Sequence, residues 1–290
     1  MSLNKTGGAI IPEVSVCVIT YNQEKYIAQA IEGALMQLCD FTIELVICDD
    51  SSTDQTPAII QAYAERFPEK IKVYPAPANM GMLRNWERAL KLCRGKYIAL
   101  LEGDDFWTDE KKMQKQVTIL RANPQCSISA TNAIIKYESG ENGYPEYAHH
   151  TTGIYPASEL GKNNFIPTCS VVMRNNISDS FFHPSYYKSP FADWIIHILN
   201  TKFGSIHFLN EFTCTYRVHS TGVWGSLKEE AQLLNRFKAI NCVAEIVTDG
   251  ATAAAVRNTR KELLQQLCAF YKTNKHWVNY AKYRIELLLN

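Results

Sequence analysis

The chain has 290 residues, with 30 basic against 29 acidic side chains and a formal net charge of +1, so no global field draws in nucleic acid or an acidic surface. With 46% hydrophobic and 20% charged residues it is not a disordered, fibrous or membrane-spanning polymer, and its length suits one large domain with an appendage or two modest domains. Its nine cysteines are odd in number and lie singly in apolar stretches without a Cys-x-x-Cys pair, a pattern that predicts buried free thiols and a reducing compartment. No apolar run approaches the length of about 18 residues that a membrane span requires. A cytoplasmic protein is therefore expected, with attachment to the inner face of a membrane left open. The small, polar residues 1–12 are expected to form a disordered arm.

Taken in chain order, the first hundred residues alternate β-branched runs with helical patterns, the form of βαβ units around a parallel sheet. Val14 to Ile19 reads as a buried strand. Glu24 to Leu38 places Ile27, Ala30, Ile31, Ala34, Leu35 and Leu38 on one helical face. A second strand is expected over Phe41–Cys48, and Asp54 with Pro57 opens a helix reaching Phe67. Ile71–Tyr74 is a third short strand, Met82–Cys93 a helix ended by Gly95, and Lys96–Leu101 a fourth strand. That strand stops at Glu102-Gly103-Asp104-Asp105, before a helix expected to begin near Thr108.

The second half reads differently. Ile128–Tyr137 looks extended, and Glu138–Thr152, rich in Gly, Tyr and His, reads as a mobile loop in which His149 and His150 are solvated. Extended segments are expected at Cys169–Met173, Ser205–Leu209 and Phe212–Val218, around a helix over Phe191–Asn200. This half should complete a mixed sheet. Ser226-Leu227-Lys228-Glu229 fits a capping box, and the remainder reads as helices separated near Asp249-Gly250 and Thr273-Asn274.

The acidic turns carry the chemistry. Ligands of open α/β sheets bind at the carboxyl ends of the strands, where Glu102–Asp105 and Asp49–Asp54 both fall. A divalent cation held by carboxylates suits a reaction that breaks a diphosphate linkage. Asp104 and Asp105 are candidates for that task, although adjacent acids also cap helices. A carboxylate at Asp49 or Asp50 can accept a hydrogen bond from a pyrimidine ring, Tyr21 can stack on a base, and Asn22 can support the turn. Neither Gly-x-Gly-x-x-Gly nor Gly-x-x-x-x-Gly-Lys occurs, which argues against dehydrogenase and P-loop classes.

Together these segments resemble an inverting glycosyltransferase of family 2, built on the GT-A fold. Val14–Asn22 is similar to that family's opening strand, Cys48–Asp54 to its base-binding turn, Asn79-Met80-Gly81 with Arg84-Asn85 to its next loop and helix, and Gly95–Asp105 to the strand leading to its metal motif. The resemblance implies a GT-A mixed sheet flanked by helices over residues 13–225, divided into a nucleotide-binding half (13–105) and an acceptor-binding half (106–225), with a helical extension over 226–290. It implies nucleotide contacts from Thr20, Tyr21, Asn22, Asp50, Arg84 and Asp104, and a Mn2+ or Mg2+ ion on Asp104, Asp105 and His219.

Glu102 replaces an aspartate common in the family and is placed behind the direct ligands. Phe191-Ala192-Asp193-Trp194 resembles the acceptor-side acidic motif, which makes Asp193 the expected base. His219 lies in Tyr216-Arg217-Val218-His219-Ser220, where the family often has Tyr-Arg-x-His. Trp107 and Trp194 adjoin the site as core residues or a sugar platform.

The implied reaction moves a sugar from a nucleoside-diphosphate sugar, UDP-linked by preference, to a saccharide or lipid-linked acceptor in cell-surface polysaccharide or glycoconjugate assembly. A nucleotidyltransferase and a noncatalytic sugar-nucleotide-binding module are the alternatives. Lys272, Lys275 and Lys282 beside apolar residues of the tail leave a membrane-surface role open.

Overall fold

The computed structural model describes residues 11–139, 147–222, 224–225 and 227–289. Four parallel strands, β1 (Val14–Thr20), β2 (Ile43–Asp49), β3 (Ile71–Pro75) and β4 (Tyr97–Glu102), lie in the order β3-β2-β1-β4. Every residue of β1 is buried, as expected for a central strand covered on both faces by helices. The covering helices are α1 (Ile27–Leu35), α2 (Thr56–Arg66) and α3 (Met82–Leu92). Thr20 pairs with Asp49, and Ile19 with Glu102, so three strands end level and deliver their turns to one edge.

The second half supplies β5 (Phe106–Trp107), α4 (Lys112–Ala122), β6 (Cys126–Tyr137), β7 (Gly153–Tyr155), α5 (Ala157–Lys162), β8 (Val172–Arg174), α6 (Asp193–Asn200) and β9 (Ser205–Val218). The sheet continues β4-β8-β6-β9-β5, with β7 also on β9, and β8 runs antiparallel to both neighbours. The mixed sheet implied by the resemblance is therefore present.

Several local expectations are corrected. The first helix is shorter at both ends, and Leu38 is 56% exposed, outside the apolar face assigned to it. Cys169 is not extended: Thr168–Ser170 forms a 3-10 turn, and the strand begins at Val172. The segments Ser205–Leu209 and Phe212–Val218 are one strand, because register shifts beside Thr131 and Asn132 absorb Asn210 and Glu211. The fourth helix starts at Lys112 rather than near Thr108, since Phe106–Trp107 first pairs with Cys214–Thr215.

Residues 1–10 of the expected arm and 140–146 of the expected loop lie outside the described residues. The end of that loop is packed: Ala148 exchanges hydrogen bonds with the Asn132 side chain, and the His150 ring stacks on Phe165 at 4.1 Å, so His150 is not a solvated side chain.

The tail forms α7 (Glu229–Ile246), α8 (Gly250–Thr273) and α9 (Trp277–Leu289). Ser226 of the expected capping box is outside the described residues, and Lys228 occupies the N-cap position without a side-chain cap. Gly250 has φ +71, which glycine adopts without the steric cost of a Cβ. Phe237, Ile240, Leu263, Leu264 and Tyr271 share one core with Trp86, Ile195 and Phe208, so the extension is packed onto the sheet domain. By contrast Val278, Ile285, Leu288 and Leu289 of α9 are exposed. No helix of the described residues is long and apolar enough to cross a membrane. All nine cysteines are free thiols, eight buried and Cys39 half-buried.

Candidate active site

The three turns at the sheet edge are braced to one another through the backbone. Asp50 N donates to Thr20 O at 3.0 Å, and Gly103 N to Ile19 O at 2.9 Å. Asn22, at φ 53, donates its N–H to Ser52 Oγ at 2.8 Å and accepts Thr53 N at 2.8 Å through Oδ1. Its side chain thus supplies the support that a left-handed turn residue can give. At position 103 an added Cβ would come within 2.4 Å of Gln23 Oε1 and 2.9 Å of Thr20 Oγ1, so a larger residue there must displace the side chains that pair across this turn.

Asp50 is buried and accepts Met80 N at 2.8 Å and Gly81 N at 2.9 Å on its two oxygens. Each carboxylate oxygen has a second lone pair, so the group fixes the 79–81 loop and keeps acceptor capacity. Tyr21 is 46% exposed beside it. Arg84 is exposed on the first turn of α3, with its guanidinium 5.7 Å from the Tyr187 ring centre. Sequence patterns did not mark Arg88, whose Nη2 ties Tyr74 O (2.7 Å) and Asp49 O (3.2 Å) to the helix and so holds the ends of β2 and β3 in place.

In the acidic turn, neighbouring residues diverge. Asp104 Oδ2 lies 3.0 Å from His219 Nε2, and His219 Nδ1 lies 2.9 Å from Thr221 Oγ1. Asp105 turns inward at 1% exposure: its Oδ1 accepts Arg217 N at 2.8 Å, and its Oδ2 has no hydrogen-bond partner among the described residues. Burial first, then the Asp104 charge, pushes the Asp105 carboxyl well above its ordinary range. Burial also raises Glu102 strongly, reinforced by Asp105, Asp104 and Asp193. Arg217 meets this negative charge: its guanidinium donates to Asp104 O and Gln29 Oε1 and sits 4.4 Å from the centre of the Phe106 ring.

A cavity of about 940 Å³ opens beside this turn, lined among others by Glu102, Asp104, Asp193, Arg217, His219 and Trp224. Asp193 begins α6, with Oδ2 accepting Asn164 Nδ2 at 2.8 Å. Phe191 and Trp224 meet edge to face at 5.5 Å and supply an aromatic wall. Trp194 also lines the cavity, with its indole N–H bound to Leu160 O at 2.8 Å; Trp107 is a core residue, bound to Cys169 O at 2.7 Å. The geometry thus gathers Glu102, Asp104, Asp193 and His219 around one space. Thr20, Tyr21, Asn22, Asp50, Arg84 and Asp105 are not among its walls.

The donor set can be tested against a cation. Among the described residues no group of three or more His, Cys, Asp or Glu is arranged to hold a metal. The Asp104–His219 pair offers one carboxylate and one imidazole, which suits an ion that takes its remaining ligands from water and substrate phosphates. Thr221 would orient the ring from the far nitrogen, as outer partners of metal-bound histidines do.

The family model for glycosyl transferase family 2 matches residues 15–181. An uncharacterized protein of Mycobacterium tuberculosis is 36% identical over 219 residues; the match covers 73% of this chain and 61% of that protein, so the chain spans about three fifths of this relative. WfaP of Escherichia coli, a UDP-Glc:alpha-D-GlcNAc-diphosphoundecaprenol beta-1,3-glucosyltransferase, is 29% identical over 238 residues, covering 80% of this chain and 88% of that one.

Among solved structures, S. aureus TarS 1-349 in complex with UDP-GlcNAc superposes with a TM-score of 0.66 at 18% identity, covering 93% of this chain and 79% of that one. The mannosyltransferase PcManGT from Pyrobaculum calidifontis, in complex with GDP-Man and Mn2+, gives 0.56 at 15% identity, covering 97% and 84%. These two likenesses establish a shared fold.

Proposed function

Because this chain belongs to glycosyl transferase family 2, we propose that it moves a sugar from a nucleoside-diphosphate sugar to an acceptor hydroxyl with inversion at the anomeric carbon. The observation that carries the reading is the opening of the Asp104–His219 pair and Asp193 onto one cavity. In this reading the donor's base lies on Tyr21 and Asp50, supported by Thr20 and Asn22, with Arg84 near the nucleotide and the diphosphate toward Asp104.

Asp104 and His219 would hold a Mn2+ or Mg2+ ion, with Asp105 and Glu102 behind them. When bound, the cation neutralises charge on the departing diphosphate. Asp193 takes the proton of the acceptor hydroxyl as its oxygen bonds to the anomeric carbon and the bond to the diphosphate oxygen breaks on the opposite face. Phe191 and Trp224 offer apolar faces for the acceptor ring.

UDP is favoured because TarS holds UDP-GlcNAc, and the WfaP name supports a lipid-linked acceptor in surface polysaccharide assembly. An acceptor of that kind would bring the enzyme to the inner membrane face. Exposed Val278, Ile285 and Leu288 of α9, flanked by exposed Lys282 and Arg284, support such a contact.

The test is a panel of UDP-, GDP- and dTDP-sugars with Mn2+ or Mg2+, following nucleoside-diphosphate release. Metal-dependent release from one donor, lost in Asp104→Ala, is expected. Absence of both release and metal-dependent donor binding would reject the mechanism.

A further inference from the structure

Asp193 is held by a chain of side chains that extends behind the cavity wall. Asn164 Nδ2 donates to Asp193 Oδ2 at 2.8 Å, Thr168 Oγ1 reaches the same oxygen at 3.3 Å, and Asn164 Oδ1 lies 3.2 Å from His197 Nδ1. His197 is fully buried, one turn beyond Asp193 on α6.

The order of protons along this chain follows from donor and acceptor capacity. An ionised carboxylate only accepts, so the amide nitrogen of Asn164 must face Asp193 and its oxygen must face the ring. The ring can satisfy that oxygen only if Nδ1 carries the hydrogen. Burial pushes His197 down to about 4, so the ring is neutral near pH 7 and has one N–H to place. The other nitrogen, Nε2, is buried with no hydrogen-bond partner among the described residues. An unmade hydrogen bond of this kind costs about 1–3 kcal/mol. An apolar side chain would avoid that cost but would leave the half-buried Asn164 Oδ1 without the ring's N–H, so the two effects on stability oppose each other.

We propose that His197 and Asn164 are positioning residues: the Nδ1–H tautomer fixes the amide, the amide fixes Asp193 Oδ2, and Oδ1 is left to meet the acceptor hydroxyl. This rests on the reading of Asp193 as the base. The function of the pair is to hold the carboxylate in one rotamer, so that the oxygen taking the proton is the same in every turnover.

The experiment compares His197→Leu, His197→Asn, Asn164→Ala and Asp193→Asn in the full chain. Turnover is followed as hydrolysis of the best donor of the panel above with Mn2+, alongside UDP affinity and urea unfolding. In addition, 15N-histidine spectra of the intact protein read the His197 tautomer without any substrate.

His197→Leu should lower kcat about tenfold, the effect of roughly 1.4 kcal/mol in the barrier, while leaving UDP affinity and urea stability near those of the intact protein. His197→Asn, whose amide can donate from nearly the same place, should restore most of the loss. Asn164→Ala should lower kcat at least as much as His197→Leu. The spectra should show hydrogen on Nδ1.

A structural role predicts instead that turnover falls only in step with losses of stability and UDP affinity, with His197→Asn no better. That result, an Nε2–H tautomer, or intact-level turnover in His197→Leu while Asp193→Asn is inactive, would overturn the positioning role alone. Retained turnover in Asp193→Asn would overturn the base reading and this inference with it.

Discussion

Asp104→Asn should strengthen the fold and abolish its response to metal. Asp104 is among the charges that raise both Glu102 and Asp105, and the latter is buried with one carboxylate oxygen unpartnered among the described residues. Two unit charges 4 Å apart at an effective dielectric of 20 repel by about 4 kcal/mol. Partial protonation of the cluster and the nearby Arg217 reduce that figure, and the variant weakens the 3.0 Å contact with His219. A net gain of about 1–2 kcal/mol at neutral pH in chelator is expected.

The sign with pH follows from linkage. A carboxyl whose folded pKa is raised binds more protons folded than unfolded, so stability falls as pH rises from the ordinary value near 4 toward the raised one. Intact protein in chelator should therefore lose stability over that window, and the variant less. Mn2+ at about a hundred times its dissociation constant should add about 2.7 kcal/mol to intact protein and nothing to the variant. Urea titrations in chelator and in Mn2+ measure both effects. A variant weaker than intact protein in chelator, or equally protected by Mn2+, refutes this account of the acidic turn.

Two other predictions address a buried lysine and the exposed apolar residues of α9. Lys112 is buried, with Nζ on Gln116 Oε1 at 2.7 Å, and burial lowers its pKa from 10.5 to about 8. Between those values the unfolded chain binds the extra proton, so intact protein should gain about 3 kcal/mol relative to Lys112→Met as pH rises through the window; parallel unfolding profiles would contradict this. On α9, the double change Ile285→Glu and Leu288→Glu should abolish binding to vesicles containing anionic lipid at low salt. Failure of the intact protein to bind them removes the membrane contact from the proposed function.

Much of the donor side was legible because parallel strands buried on both faces are continuous apolar runs that end sharply. Val14–Thr20 and Tyr97–Glu102 announce both the strands and the edge they reach. The roles of Asp104 and Asp105 were not separable, since which of two adjacent side chains faces a cavity depends on how the turn packs. Buried Ser127, Ser129, Thr131 and Asn132 interrupt the apolar signal of β6, and a bulge joins two apparent strands into β9. Asn164, Thr168 and His197 lie far from Asp193 in sequence or are hidden inside an apolar helix, and only folding brings their polar atoms together.

The cross-braced turns of β1, β2 and β4 also separate two kinds of change. Their bonds run among themselves, to the 79–81 loop and, from the acidic turn, to Arg217 and His219, while Asn164 and Asp193 belong to other elements that form a different wall. In the proposed reaction the first group reads the nucleotide and the second meets the acceptor. A graft confined to residues 147–200, which keeps Arg217 and His219 against the acidic turn, can therefore recruit a new acceptor and leave donor recognition intact, whereas a side chain at Gly103 presses on Thr20 and Gln23 within the turns that donor recognition rests on.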